Sequence, residues 1–287
     1  HNLGIIAKTR GDLEEAERLH KESLAIDREI GYREGEASSL NNLGNIAETR
    51  GDLEEAERLH KESLAIYTEI GYREGESSSL NNLGNIANTR GDLEEAERLH
   101  KESLVIKREI GYREGEPNSL GNLGIIAKTR GDLEEAERLY KESLAIDREI
   151  GNRKGEANSL NNLGNIADTR GDLEEAERLH KESLVIKREI GYREGESSSL
   201  GNLGSIANTR GDLEEAERLY KESLAIRREI GDRLGEAGDL SNLGIIVDTR
   251  GDLEEAERLY KESLAIEREI GNRKGEANSL NNLGNIA

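Results

Sequence analysis

The feature that most constrains this chain is its period. Set in rows of forty, the 287 residues give seven full copies, 1–40, 41–80, 81–120, 121–160, 161–200, 201–240 and 241–280, followed by a remainder, 281–287. Of the forty columns, 27 carry one residue in all seven copies. A unit this short cannot bury a core alone, and near-identical units all need the same neighbour, so the copies must stack in one direction. Composition points the same way. Leu, Ile and Val together number 65, Phe and Trp are absent, and the net charge is −20. In one large globule that mixture would lie close to the disordered class. A quasi-one-dimensional array escapes the difficulty because it never builds a large core.

Each copy reads as two helices. From Asp52 the chain runs D-L-E-E, which predicts a helix over 52–70 with Asp52 as its cap and Glu55 reaching back in a capping box. Leu53, Ala56, Leu59, Ser63, Leu64, Ile66 and Ile70 follow at helical spacing up to Gly71, a left-handed stop. On the outer face Glu54–Arg58 and Glu57–Lys61 stand four apart, a pairing worth a few tenths of a kcal/mol. A second helix is predicted from Arg73 to Thr89, burying Leu80, Leu83, Ile86 and Ala87 and stopping at Gly91. Gly84 inside it costs about 1 kcal/mol against Ala, so it is expected to permit close contact between helices. Pro117 is tolerated only in a first turn. The helix of that copy is therefore expected to start near Glu116 or to bend there.

The run L-x-N-L-G-x-I-A, then G-D-L-E-E-A, then the small and aliphatic positions at Ser63 and Leu64, resembles the tetratricopeptide repeat over the whole chain. The forty-residue length and the L-x-N-L-G-N…I-G-[DN]-R-x-G-E pattern are most similar to the long-helix subclass of kinesin light chains and of spindle-orientation scaffolds that bind Gα proteins. Two departures are visible: positions usually filled by large aromatics carry Leu80- and Ala87-type residues, and His60 or Tyr140. The resemblance implies an all-α, right-handed superhelical α-solenoid of stacked antiparallel helix pairs, one array over 1–287, acting as a protein-interaction scaffold.

Where copies are nearly identical, their differences carry the information. Positions 74, 78, 81, 85 and 88 are spaced 4, 3, 4 and 3, so they share one helix face, and all five columns vary. The outer face of the other helix, Glu54, Glu57, Arg58 and Lys61, is invariant, so exposure alone does not predict variation. The resemblance implies that the varying face lines a concave groove where peptides bind; free drift of exposed positions is the alternative. The candidate groove residues are Asn41, Asn42, Asn45, Glu48, Asn81, Asn82, Asn85, Asn88, Gly121, Ile125, Lys128, Asn161, Asn162, Asn165, Asp168, Ser205 and Asn208. A side-chain amide offers two donors and an acceptor, which suits the backbone of an extended peptide. Asn ladders between copies would use the same groups, and the two readings are compatible. Lys8, Lys128, Lys154 and Lys274 are too scattered for a carboxylate clamp.

Other functions are set aside on residue type. There is no Cys, so thiol catalysis and thiolate metal sites are excluded. No apolar run reaches the ~18 to 20 residues of a membrane span, and no signal peptide is visible, although the chain opens at His1; a cytoplasmic location is expected. The acidic balance disfavours nucleic acid and anionic membranes and favours a basic or neutral protein or peptide partner over an acidic one. Glu57-x-x-His60 has di-iron spacing, but Tyr140, Tyr220 and Tyr260 replace the His in other copies, which marks a flat packing residue rather than a ligand. No enzyme activity, metal or cofactor is expected.

Two alternatives to a peptide-binding scaffold stay open. One is a structural array that stacks head to tail; the other is an engineered, consensus-like array without a native ligand. Designed arrays usually close with a polar cap, whereas this chain ends on NNLGNIA, which favours a fragment of a longer array. A half helix at His1–Thr9 and uncovered Leu280, Leu283 and Ile286 are expected to present complementary ends for head-to-tail self-association.

Overall fold

Among the described residues, a glycine of positive φ after each helix up to Gly271 forces the chain to reverse. In the computed structural model, which describes residues 12–286, the helix Leu13–Ile30 ends at Gly31 with φ of 70°. The Tyr32 N–H donates to the Asp27 carbonyl at 2.8 Å. The next helix, Arg33–Thr49, runs into Gly51 at φ 80°, and the Asp52 N–H donates to Ala47 O at 2.9 Å. Both are left-handed helix ends that satisfy the last carbonyls and turn the chain back on itself. Within each unit, consecutive helices are therefore antiparallel neighbours.

The described residues are 87% helical, in 14 helices with no strand. They alternate between two types. We call the type that opens on D-L-E-E the A helix (Leu13–Ile30, Leu53–Ile70, Leu93–Glu109, Leu133–Glu149, Leu173–Glu189, Leu213–Ile230 and Leu253–Glu269). The B helices are Arg33–Thr49, Arg73–Thr89, Glu116–Thr129, Arg153–Thr169, Arg193–Thr209, Arg233–Thr249 and Arg273–Ile286. Each A helix is capped by its Asp, as at Asp52, whose Oδ1 accepts the Glu55 N–H at 3.1 Å. Glu55 does not reach back as the capping box predicts. The Asp52 N–H is already taken by Ala47, and the Glu55 carboxylate is held in a fork by Arg58 at 2.6 and 2.7 Å.

Contacts group the chain into two units, His1–Ile150 and Gly151–Ala287. In the first, one core cluster joins Leu24, Leu40, Leu43, Ala56, Leu59 and Ile66, side chains from three successive helices. In the second, Leu200, Leu203, Leu219, Leu224, Leu240 and Leu243 do the same one copy after another. Within each unit, a B helix such as Arg33–Thr49 or Arg193–Thr209 thus buries one flank on the A helix before it and the other on the A helix after it, the arrangement of an α-solenoid. Leu40, Leu120, Leu200 and Leu240 are at most 1% exposed, while Leu280, in the final helix, is 46% exposed. The half helix expected at His1–Thr9 lies outside the described residues.

Pro117 behaves as its chemistry requires. The segment Arg113–Gly115 forms a 3₁₀ turn and the α-helix starts at Glu116, which leaves the proline in the first turn, where its missing N–H has no partner to lose.

Two sequence expectations need correction. Arg58 pairs with Glu55 and Glu62 rather than with Glu54; Glu57 does bind Lys61, at 2.5 Å, and also Arg90 of the following B helix. On this outer face Glu57 ties its helix to the next through Arg90, whereas Arg58 and Lys61 pair within their own helix. A second network crosses copies: Arg28 binds Glu36 and Glu62, while Arg33 binds Glu36 and Glu69. The other correction concerns Gly84. A Cβ there would stand 2.7 Å from the His100 ring, so the glycine makes room for a side-chain ring and not for a helix backbone. Gly44 meets His60 and Gly124 meets Tyr140 in the same way.

Candidate protein-interaction surface

The His or Tyr column fixes the floor of the varying B-helix face. His60 is fully buried against Gly44, and its Nδ1 lies 2.8 Å from Asn41 Oδ1. His100 meets Asn81 and His180 meets Asn161, both at 3.3 Å. A flat ring of either kind fits over the glycine, which explains why Tyr140, Tyr220 and Tyr260 replace histidine. Burial, together with the charge of Lys107 or Lys187, lowers the His100 and His180 pKa values to about 4. These imidazoles are neutral at physiological pH.

On that floor the asparagines form a ladder. Asn82 Nδ2 donates to Asn41 Oδ1 at 3.0 Å and to Asn45 Oδ1 at 3.3 Å of the preceding copy. Asn122 donates to Asn85 at 3.0 Å, and Asn202 to Asn161 and Asn165, both at 3.3 Å. Asn42 bonds its own helix at Ser38 O, 2.9 Å away. The ladder stitches neighbouring B helices and occupies acceptors that the sequence reading assigned to a ligand. Asn162, Gly121, Glu48, Asn88 and Asn208 are half-buried.

Above the ladder stands a second row. Ile125 is 42% exposed and Ile245 40% exposed, and Lys128, Asp168 and Ser205 are exposed as well. A Cβ at Gly121 would meet nothing within 4 Å, so that position borders open space. The candidate residues thus divide into Asn41, Asn45, Asn81, Asn82, Asn85, Asn161 and Asn165, which bond to the scaffold, and the exposed group headed by Ile125, Lys128, Asp168 and Ser205. The first unit carries the stripe through Lys128, and the second carries it from Asn161 onward.

Sequence reasoning missed one variable column altogether. Asp27, Tyr67, Lys107, Asp147, Lys187, Arg227 and Glu267 occupy the same place in successive A helices. Tyr67, Lys107, Asp147, Lys187 and Glu267 are buried. Lys107 Nζ donates to Ser119 Oγ and Lys187 Nζ to Ser199 Oγ, each at 2.8 Å, and burial lowers both amines to about 8. In the copy with Arg227 the facing serine is replaced by Asp239, which the guanidinium meets at 2.9 Å. Burial raises Asp239 to about 6 against the opposing pull of Arg227 and Ser223. A signal was available: 60, 63 and 67 share a helix face, so the column had to lie beside a buried ring and a buried serine.

One cleft of about 340 Å³ beside Leu104 and Arg130 is lined by apolar side chains such as Leu104, Leu120 and Leu139 and by the ion-paired Glu97, Arg130, Arg138 and Glu142, most of them from columns that are the same in every copy. No helix among the described residues is long and apolar enough to cross a membrane.

Helix hairpins stacked through shared flanks define an α-helical repeat scaffold. The tetratricopeptide repeat family model matches residues 1–69, 75–149, 117–189, 155–229 and 195–269. The chain belongs to the tetratricopeptide repeat family, whose arrays are protein-interaction scaffolds. No curated protein matches it in sequence. Among solved structures it resembles BtubC (BKLC) from P. vanneervenii, at 22% identity and a TM-score of 0.67, covering 76% of this chain and 92% of that one. It also resembles a signal transduction ATPase with numerous domains (STAND) with a tetratricopeptide repeat sensor from Pyrococcus horikoshii. There the identity is 20% and the TM-score 0.76, over 97% of this chain and 43% of that protein. A third is a Podosopora anserina putative kinesin light chain with nearly identical TPR-like repeats, at 21% identity and a TM-score of 0.53, over 66% of this chain and 94% of that one. At these identities the likeness is one of fold.

Proposed function

We propose that the chain is a non-catalytic scaffold whose units each hold an extended segment of a basic or neutral protein along the varying B-helix stripe. The observation that carries this is the division of the stripe into layers. Beneath, Asn41, Asn82, Asn85 and Asn202 bond copy to copy. Above, Ile125, Lys128, Asp168 and Ser205 differ from copy to copy and touch solvent. Their variation has no packing role to explain it, and a rigid floor under changing side chains suits recognition of an extended chain with little ordering of the receptor.

A random peptide display library selected on the immobilised full chain tests the proposal, with enriched peptides measured by fluorescence anisotropy. Ile125→Asp or Ser205→Arg should weaken peptides selected on the intact surface about tenfold with the helical signal unchanged. No enrichment over bare support, or affinities indifferent to both substitutions, refutes it.

A further inference from the structure

The residue just after the glycine that ends each A-helix turn is either a tyrosine or a short capping side chain. Asn152, Asp232 and Asn272 stand there and accept the N–H of Gly155, Gly235 and Gly275 at 3.1, 2.9 and 3.2 Å. Tyr32, Tyr72 and Tyr112, in three consecutive copies of the first unit, make no such cap. Losing an Asn or Asp cap weakens a helix. Helix stability therefore does not account for the tyrosines. Their rings lie partly on the scaffold, Tyr32 over Gly35, Tyr112 over Gly115 and Tyr72 with its centroid 5.4 Å from that of Tyr67, and partly at the surface, where Tyr32 is 50% exposed and Tyr72 37%.

Two residues after each tyrosine comes an exposed carboxylate, Glu34, Glu74 or Glu114. The neighbouring arginines are engaged elsewhere, Arg33 with Glu36 and Glu69, Arg73 with Glu76 and Glu109, Arg113 with Glu116 and Glu149. Among the described residues, Glu34, Glu74 and Glu114 form no salt bridge. The rings and carboxylates interleave across copies. Burial, then Glu74 and Glu34, raise the Tyr72 phenol above its ordinary value, and burial, Glu74 and Glu114 do so for Tyr112. A helix-dipole preference does not dictate these acids, because Lys154, Leu234 and Lys274 fill the same column in other copies.

The second unit shows what such a ring accepts. Lys154 Nζ lies 4.3 Å from the centroid of the Tyr192 ring in the following copy, a cation–π contact. In the first unit that lysine's column holds a carboxylate facing the next tyrosine, so the ring and an unpaired negative charge are both present and the cation is missing.

Building on the scaffold reading, we propose that Tyr32, Glu34, Tyr72, Glu74, Tyr112 and Glu114 form a ladder that receives successive Lys or Arg side chains of an extended basic segment. Each basic side chain would lie on a tyrosine face with its charge beside a glutamate. The acidic surface of the whole chain attracts cations without selectivity, so the test separates the ladder from bulk charge.

The probe is a fluorescein-labelled peptide of alternating Lys and Ser, titrated with the full chain at physiological ionic strength and followed by anisotropy. Glu34→Lys with Glu74→Lys reproduces the Lys154 arrangement and should weaken binding about tenfold or more. Glu54→Lys with Glu94→Lys makes the same charge change on exposed A-helix positions and should weaken it less than about threefold. Tyr72→Asn with Tyr112→Asn leaves the charge alone and should weaken binding about threefold to tenfold. Equal losses from the two lysine pairs, unchanged binding by the asparagine pair, or no binding by the unaltered chain overturns the ladder. Binding that survives Glu34→Lys with Glu74→Lys but is lost on Ile125→Asp overturns the ladder alone. The opposite pattern overturns the stripe reading alone.

Discussion

Lys107 and Lys187 set the pH behaviour of the array. Each is at most 3% exposed and is held by one short hydrogen bond to a serine. Burial brings each amine from the ordinary 10.5 to about 8, with Glu116 pulling Lys107 slightly the other way. Because the folded value lies below the unfolded one, the charged amine opposes folding, fully below about pH 8 and progressively less as the pH rises toward 10.5. A shift of this size corresponds to about 3 kcal/mol per lysine at neutral pH. Roughly 2 to 3 kcal/mol of that is recovered per lysine between about pH 7 and about pH 10, so the pair gives about 5 kcal/mol.

The perturbation that isolates this effect is Lys107→Met with Lys187→Met. Methionine keeps the length and apolar stem, and the serines left behind keep partners: Ser119 lies 3.3 Å from Ser103, and Ser199 3.4 Å from Ser183. Urea unfolding of the helical signal at a series of pH values gives the comparison. The variant should be the more stable protein near neutrality, and its advantage should shrink by most of its size as the pH approaches 10. Tyrosines titrate in the same alkaline range, but they are common to both proteins and cancel in the difference. A stability difference that stays constant from neutral to alkaline pH would refute the reasoning, since it would mean that the buried amines titrate as free ones do.

Three further outcomes follow from named contacts. Gly84→Ala should destabilise by about 1 to 3 kcal/mol, because its Cβ would come within 2.7 Å of the His100 ring, whereas Gly121→Ala, with open space around it, should stabilise by about 0.5 to 1 kcal/mol; paired thermal melts decide, and equal signs for the two would contradict the packing described. Thr68 stands in the column of Arg28, Arg108, Arg188 and Arg228, each of which binds a glutamate in its own copy and another in the next, so Thr68→Arg should reach Glu76 and Glu102 and add up to about 1 kcal/mol, a gain that disappears in high salt. Asn82→Ala should lower stability by about 1 kcal/mol or more through loss of its bonds to Asn41 and Asn45, while Asn88→Ala should change it by less than about 0.5 kcal/mol; unfolding curves that rank the two the other way would remove the ladder from the scaffold.

Local and periodic rules carry far in this protein. The forty-residue period, the aspartate before each A helix, the glycine after it and the proline at 117 each act within a few residues of themselves. Helix limits, caps and reversals were therefore legible from the residues alone, as at Asp52, Gly71 and Glu116. So was stacking, because a half-covered apolar stripe repeated in every copy has only another copy to lie on.

What lay beyond the sequence was which side chain meets which across helices. Spacing alone offered Glu54 to Arg58, and rotamer geometry together with the competing Glu55 and Glu62 settled the pairing differently. An invariant Asn42 and a variable Asn41 look alike in sequence, yet only the stacked helices bring the Asn82 amide onto Asn41 and Asn45 and turn half of the candidate groove into scaffold. The column of Tyr67, Lys107 and Lys187 reads as surface variation because its residues are polar, and for Lys107 and Lys187 it is the facing B helix that buries them. Periodicity fixes the face on which a residue lies, whereas burial and partnership are set by the neighbour that covers that face, at distances no local spacing encodes.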